Sequence, residues 1–107
     1  MAFTRVAALD EIPDDAGLRV SLGDLELGIY RIDGEIYAMD DICPHAGSSL
    51  SEGFLAGTCV ICPAHLWEFD VRTGLPPEVT AGKSLARYPV EVRGQDVLVD
   101  PAAPIED

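Results

Sequence analysis

A chain of 107 residues in which 19 acidic side chains face seven basic ones carries a net charge of −12, and it cannot assemble the basic face that nucleic-acid binding requires. Its length suits a single domain over residues 1–107, one that buries somewhat under about 70% of the surface its unfolded chain exposes. No run of 18 or more apolar residues encodes a membrane-spanning helix, and the N-terminus reaches Asp10 with no charged-then-apolar signal segment, so the expected location is the cytoplasm.

Strand signals dominate from there on. Asp10 to Ala16 reads as one helical turn. Leu18-Arg19-Val20-Ser21-Leu22 alternates apolar and polar residues, the period of a half-buried strand. Leu25 to Ile32 resumes that pattern, and Asp33-Gly34 is a two-residue hairpin turn into Ile36-Tyr37-Ala38. Gly47-Ser48-Ser49 and Gly53 read as turn residues. Thr58 to Ile61 and Trp67 to Val71 flank a loop as a second hairpin, and Gly74-Leu75-Pro76-Pro77-Glu78 reads as a stiff surface loop. Glu91-Val92-Arg93 and Val97-Leu98-Val99 form a third hairpin around Gly94-Gln95, after which Pro101 begins a loose tail over about 101–107. No long helical period, repeat or linker interrupts what reads as an antiparallel all-β domain.

The residues able to carry chemistry gather in two places. Cys43-Pro44-His45 and Cys62-Pro63-Ala64-His65 are separated by 16 residues and hold both histidines and two of the three cysteines. Two thiolates and two imidazoles are the ligand set of a Rieske 2Fe–2S centre. Two ferric ions, two sulfides and two thiolates sum to zero charge, whereas four thiolates would leave the oxidised cluster at minus two. The neutral centre takes up an electron more readily. Pro44 and Pro63 stiffen the loops by fixing φ. Cys43 and Cys62 are therefore assigned to one iron, His45 and His65 to the other.

Blander readings of the same residues exist. Two Cys and two His also make a structural zinc site, although zinc fingers group Cys with Cys and His with His, and here each pair is mixed. Free cysteines can be small buried hydrophobes and histidines satisfied surface residues. Cys59 and Cys62 have C-x-x-C spacing, but Cys59 lies in the apolar stretch Gly57 to Ile61 and reads as a buried core thiol. With two cysteines used as ligands none is left for an intrachain disulfide, which fits a reducing compartment.

With its flanking residues the chain closely resembles Rieske-type ferredoxins of bacterial multicomponent oxygenases, from about Leu25 to Val99. The resemblance is carried by the first ligand loop followed by Leu50-Ser51-Glu52-Gly53, by the second followed by Phe69-Asp70 and Thr73-Gly74, and by Tyr88-Pro89-Val90-Glu91-Val92. The run Cys62-Pro63-Ala64-His65-Leu66-Trp67 is similar to ferredoxins that serve toluene-monooxygenase-type diiron enzymes. Ferredoxins of aromatic-ring dioxygenases more often have glycine after the second His.

This resemblance implies a Rieske fold of stacked antiparallel sheets. Within it, a small cluster-binding subdomain over about 41–82 presents the two ligand loops as neighbouring fingers, and a proline-containing loop covers the cluster. It implies one 2Fe–2S cluster per chain, held by Cys43, His45, Cys62 and His65, with each His bound through Nδ1. The chain would be a one-electron carrier with no substrate chemistry of its own. It would take electrons from an NAD(P)H-dependent flavin reductase and pass them to a terminal oxygenase, either a diiron aromatic monooxygenase or a ring-hydroxylating dioxygenase. A monomer is the default for such a shuttle, and its acidity serves either solubility or steering toward basic partner surfaces. Two other settings stay open: a small Rieske subunit of an assimilatory nitrite reductase, and, from another class, a zinc-stapled interaction module.

Departures from the membrane branch of the family also speak. Ser48 and Ala64 occupy the positions of that branch's extra disulfide. Trp67 and Phe69 stand where its Ser and Tyr hydroxyls donate hydrogen bonds to the cluster and a ligand thiolate. Fewer donors imply a potential near the bottom of the Rieske range, roughly −150 mV.

Overall fold

The computed structural model describes residues 3–14, 17–23, 25–41, 49–61, 68–72, 86–102 and 105. Ten strands run through them: β1 Thr4–Ala8, β2 Leu18–Leu22, β3 Leu25–Ile32, β4 Glu35–Asp40, β5 Phe54–Ala56, β6 Cys59–Ile61, β7 Glu68–Asp70, β8 Arg87–Tyr88, β9 Val90–Arg93 and β10 Asp96–Val99. They form three sheets, in the orders β1-β10-β9, β2-β3-β4-β8 and β5-β6-β7. Every pairing is antiparallel. No α-helix occurs among the described residues.

The middle sheet is buried on both faces at its centre, where Leu27 to Tyr30 of β3 are buried in succession. Successive side chains of a strand point to opposite faces. Leu27 and Ile29 of β3 and Ala38 of β4 join Ile12, Tyr88, Val97 and Val99 in one core, toward the β1-β10-β9 sheet. Tyr30 and Met39 point the other way and meet Leu50, Val60, Phe69 and Val71, toward the β5-β6-β7 sheet. The second core therefore fastens the small sheet to the rest of the molecule.

The expected β3–β4 hairpin forms with Ile32 opposite Glu35. Its two-residue turn places Asp33 at φ 52° and Gly34 at φ 81°, the left-handed pair that an Asp-Gly sequence tolerates. The β9–β10 hairpin closes with Arg93 opposite Asp96. The middle sheet ends at Tyr88 because Pro89 has no N–H to continue the ladder. The chain then passes to the first sheet, where Pro89 O accepts a hydrogen bond from Asp100 N at 3.2 Å.

At four places the described residues differ from the sequence reading or add to it. The helical turn expected over Asp10 to Ala16 is a 3-10 turn at Leu9–Glu11. It stops there because Ile12 precedes Pro13, which disfavours helical backbone, and Ile12 turns extended into the core. Strand β1, unexpected from sequence, pairs with β10 through a register irregularity between Arg5 and Ala7. The tail expected to be loose from Pro101 is pinned at Ile105, whose N–H donates to Arg87 O at 2.7 Å. Cys59 is half-buried, not a core thiol: Val60 takes the inward face of β6, so alternation turns Cys59 and Ile61 away from that core.

Candidate metal centre

The four sequence-predicted ligands, Cys43, His45, Cys62 and His65, lie outside the described residues, as do Trp67 and the proline-rich segment 74–82. What the structure describes is the framework from which both ligand segments leave and to which they return.

The first segment leaves at Asp41 and is back at Ser49. Leu50 N donates to Asp41 O at 2.7 Å. The Asp41 carboxylate takes a hydrogen bond from Ser51 N at 2.8 Å on Oδ1 and another from Ser49 Oγ on Oδ2. The two serine hydroxyls lie 3.0 Å apart. Asp41 is fully enclosed, and Ser49 and Ser51 are buried beside it. Arg19 Nε stands 3.7 Å from Asp41 Oδ2. A 3-10 turn, Leu50–Glu52, follows at once, and it places Leu50 in the core with Tyr30, Val60 and Phe69.

The second segment is the connection between β6 and β7, whose last paired rung sets Ile61 opposite Glu68. One rung inward, Val60 faces Phe69, both fully buried. At the far end of the hairpin the Asp70 carboxylate collects donors. Arg72 Nε and Nη2 lie at 3.2 and 3.1 Å, Arg72 N at 2.9 Å and Thr58 Oγ1 at 3.1 Å. Burial raises the Asp70 pKa, but these bonds outweigh it and hold the group below the usual aspartate value. The six residues 62–67 are thus carried by a hairpin locked at its core rung and at its base.

Burial, and then the charges of Asp70 and Glu68, push the Cys59 thiol above its ordinary value. A raised thiol pKa lowers the thiolate fraction and with it the nucleophilicity of Cys59. Burial, followed by the charge of Asp41, also raises the Tyr30 phenol, and its hydroxyl has no hydrogen-bond partner among the described residues.

Sequence reasoning took Ser49 as a turn residue and Ser51 as part of a motif, and it missed Asp41. An aspartate two residues before the first ligand, with a Ser-x-Ser after the loop, is the signal that could have exposed the clasp. The donor set suits a Rieske centre chemically, with two soft anionic thiolates and two imidazoles. They come from two short segments whose bases are fixed against one core.

Comparison with known proteins agrees. The family model described as Rieske [2Fe-2S] domain matches residues 2–89. The ferredoxin component of a naphthalene 1,2-dioxygenase system from Pseudomonas aeruginosa is 41% identical over 93 residues, 87% of this chain and 89% of that protein. The biphenyl dioxygenase ferredoxin subunit of Pseudomonas sp. (strain KKS102) is 41% identical over 101 residues, 94% of this chain and 93% of its own. Among solved structures, a chain in the complex of reduced oxygenase and oxidized ferredoxin in carbazole 1,9a-dioxygenase superposes with a TM-score of 0.86 at 33% identity, covering 97% of both chains. A putative NADH-dependent nitrite reductase small subunit from Mycobacterium tuberculosis shares the fold, with a TM-score of 0.84 at 23% identity over 95% of this chain and 96% of that one. The relatives named here at 30% identity or more belong to dioxygenase systems and lend no support to the lean of Leu66-Trp67 toward the diiron monooxygenase branch. A buried, hydrogen-bonded frame, a mixed Cys/His donor set and these matches lead to one conclusion: this chain belongs to the Rieske [2Fe–2S] domain family, with the ferredoxin components of ring-hydroxylating dioxygenase systems as its relatives and a Rieske-type 2Fe–2S cluster as its cofactor.

Proposed function

We propose that this chain is the electron-transfer component of an aromatic-ring dioxygenase system, not itself an enzyme. It carries one electron at a time from an NAD(P)H-dependent flavin reductase to a terminal oxygenase. When bound, the cluster supplies reversible one-electron storage at a potential that the protein tunes. Cys43 and Cys62 hold one iron and His45 and His65 the other. Residues about 41–82 act as the cluster-binding subdomain within one domain. The observation that carries this reading is the similarity of 87–94% of the chain to dioxygenase ferredoxins, combined with the presence of two cysteines and two histidines in two matched sequence pairs.

The framework supports a carrier role. The loops spring from rigid, hydrogen-bonded bases, which limits rearrangement when charge changes. The net charge of −12 favours rapid, weak encounters with basic partner surfaces. The carrier works as a monomer in the cytoplasm, where NAD(P)H is supplied. Resemblance to nitrite reductase small subunits is one of fold alone.

Stopped-flow mixing of the reduced protein with an oxidised aromatic-ring dioxygenase tests the reading. Cluster reoxidation within the turnover time of the oxygenase, slowing as ionic strength rises, is expected. A reduced protein that is not reoxidised by the dioxygenase but copurifies tightly with a large nitrite-reducing enzyme would overturn it.

A further inference from the structure

The first ligand segment is closed by an aspartate that does more than cap a turn. Asp41 has no exposed side-chain surface, yet among the described residues the nearest cationic atom, Arg19 Nε at 3.7 Å, belongs to a side chain 46% exposed. The carboxylate is held by Ser49 Oγ and by Ser51 N, while its own backbone is fixed at both ends. Asp41 N donates to Glu26 O at 3.0 Å, and Asp41 O accepts from Leu50 N at 2.7 Å. Both arms of the loop are thereby tied to strand β3 through one residue.

The charge matters as much as the bonds. Asp41 lies two residues before Cys43, and two residues of extended chain span at most about 7 Å. A fixed charge withdrawn from water acts over such a distance with far less screening than a surface charge. A cluster held by Cys43 lies beyond the Cys43 α-carbon by the length of the cysteine side chain, and an electron added to it is disfavoured by the carboxylate and favoured by Arg19. Resting on the cluster reading above, we infer that Asp41 is a positioning residue: its hydrogen bonds close the base of the first ligand loop, and its buried negative charge lowers the cluster's midpoint potential, with Arg19 as the partial counterweight.

The geometry allows charge and closure to be separated. In Asp41→Asn the amide oxygen can still accept from Ser51 N. The new amide N–H can donate to Ser49 Oγ, which in turn can donate to Ser51 Oγ, 3.0 Å away. The clasp is kept and the charge removed. Ser49→Ala does the reverse, and Arg19→Gln removes the counterweight from an exposed side chain, together with its 3.1 Å ion pair to Glu26 Oε1.

Redox titration of the purified holo-proteins, with iron and acid-labile sulfide assays and the rate of cluster loss in air, tests this. Asp41→Asn should shift the midpoint upward and Arg19→Gln downward. Arg19→Gln placed in the Asp41→Asn background should shift it less than it does alone. Ser49→Ala should speed cluster loss with the midpoint nearly unchanged. A merely structural Asp41 would alter cluster retention without opposite shifts in potential. An unchanged or lowered midpoint in Asp41→Asn overturns the inference. If that variant fails to hold a cluster, Arg19→Gln decides alone: a downward shift supports the inference and an unchanged midpoint overturns it. Wild-type protein lacking iron and labile sulfide would strike the cluster reading itself, and this inference with it.

Discussion

The α-carbon of Gly53 rests against the carbonyl of Ile61 so closely that a methyl group there would overlap its oxygen, with the carbonyl carbon at only 3.0 Å and Leu50 O at 3.2 Å. Gly53 ends the turn that follows the first ligand segment, and Ile61 immediately precedes Cys62. The bases of the two candidate ligand segments are therefore set relative to one another by a backbone-to-backbone contact that only glycine permits.

Gly53→Ala should then be far costlier than an ordinary glycine-to-alanine change. The obstacle is backbone on both sides, so the paired rung of Phe54 with Ile61 has to give way. A loss of about 3 kcal/mol is expected, the upper end for overpacking a close contact. Urea unfolding of wild type and variant measures it, and a cost within a few tenths of a kcal/mol would show that the approach is not tight.

Two tyrosines should respond in opposite ways to losing their hydroxyls. Tyr88 Oη donates to Asp40 Oδ1 at 2.8 Å, tying β8 to β4, so Tyr88→Phe should cost about 1–2 kcal/mol. Tyr30 Oη is buried with no partner among the described residues, and removing an unsatisfied hydroxyl is neutral or stabilising. Thermal or urea unfolding of the two variants side by side checks the contrast.

Asp70 makes stability depend on pH in a definite direction. Burial opposes ionisation, but the bonds from Arg72 and Thr58 prevail and hold its folded pKa below the ordinary 3.8. The unfolded chain thus binds the proton more tightly than the folded one, and protonation favours unfolding. Its contribution is complete above the ordinary value and disappears as pH falls through the lower folded value. Asp70→Asn should be less stable than wild type at neutral pH, with the gap closing below about pH 4. Denaturant unfolding of both proteins across the acid range reads this out.

The midpoint potential should lie near the low end for Rieske centres, roughly −150 mV. Phe69, fully buried against Val60 and Leu50, has no hydroxyl to donate to the cluster or its ligands, and fewer donors leave the added electron less stabilised. A spectroelectrochemical titration that found a midpoint well above zero would contradict this.

Strands β3 and β4 were legible because alternation and an Asp-Gly turn agree over a long stretch. Cys43, His45, Cys62 and His65 stand out in the sequence as candidate ligands because rare residue types cluster. Other features depend on partners distant in sequence. Strand β1 contains two alanines and becomes a strand only by pairing with β10. Strand β5, three residues long with Phe54 half exposed, has no readable period. Asp41 is one of 19 acids, and only the closing of the loop base buries it. Ile105 lies beyond two prolines, and its bond to Arg87 comes from tertiary contact alone.

The coordination of the cluster is tested most directly by nitrogen-resolved electron–nuclear spectroscopy of the anaerobically purified, reduced protein. Couplings from two imidazole nitrogens on a paramagnetic 2Fe–2S centre are expected, both lost with the cluster when His45 and His65 are replaced. A sample containing zinc in place of iron, or a paramagnetic centre with no nitrogen coupling, would contradict mixed ligation by Cys43, Cys62, His45 and His65.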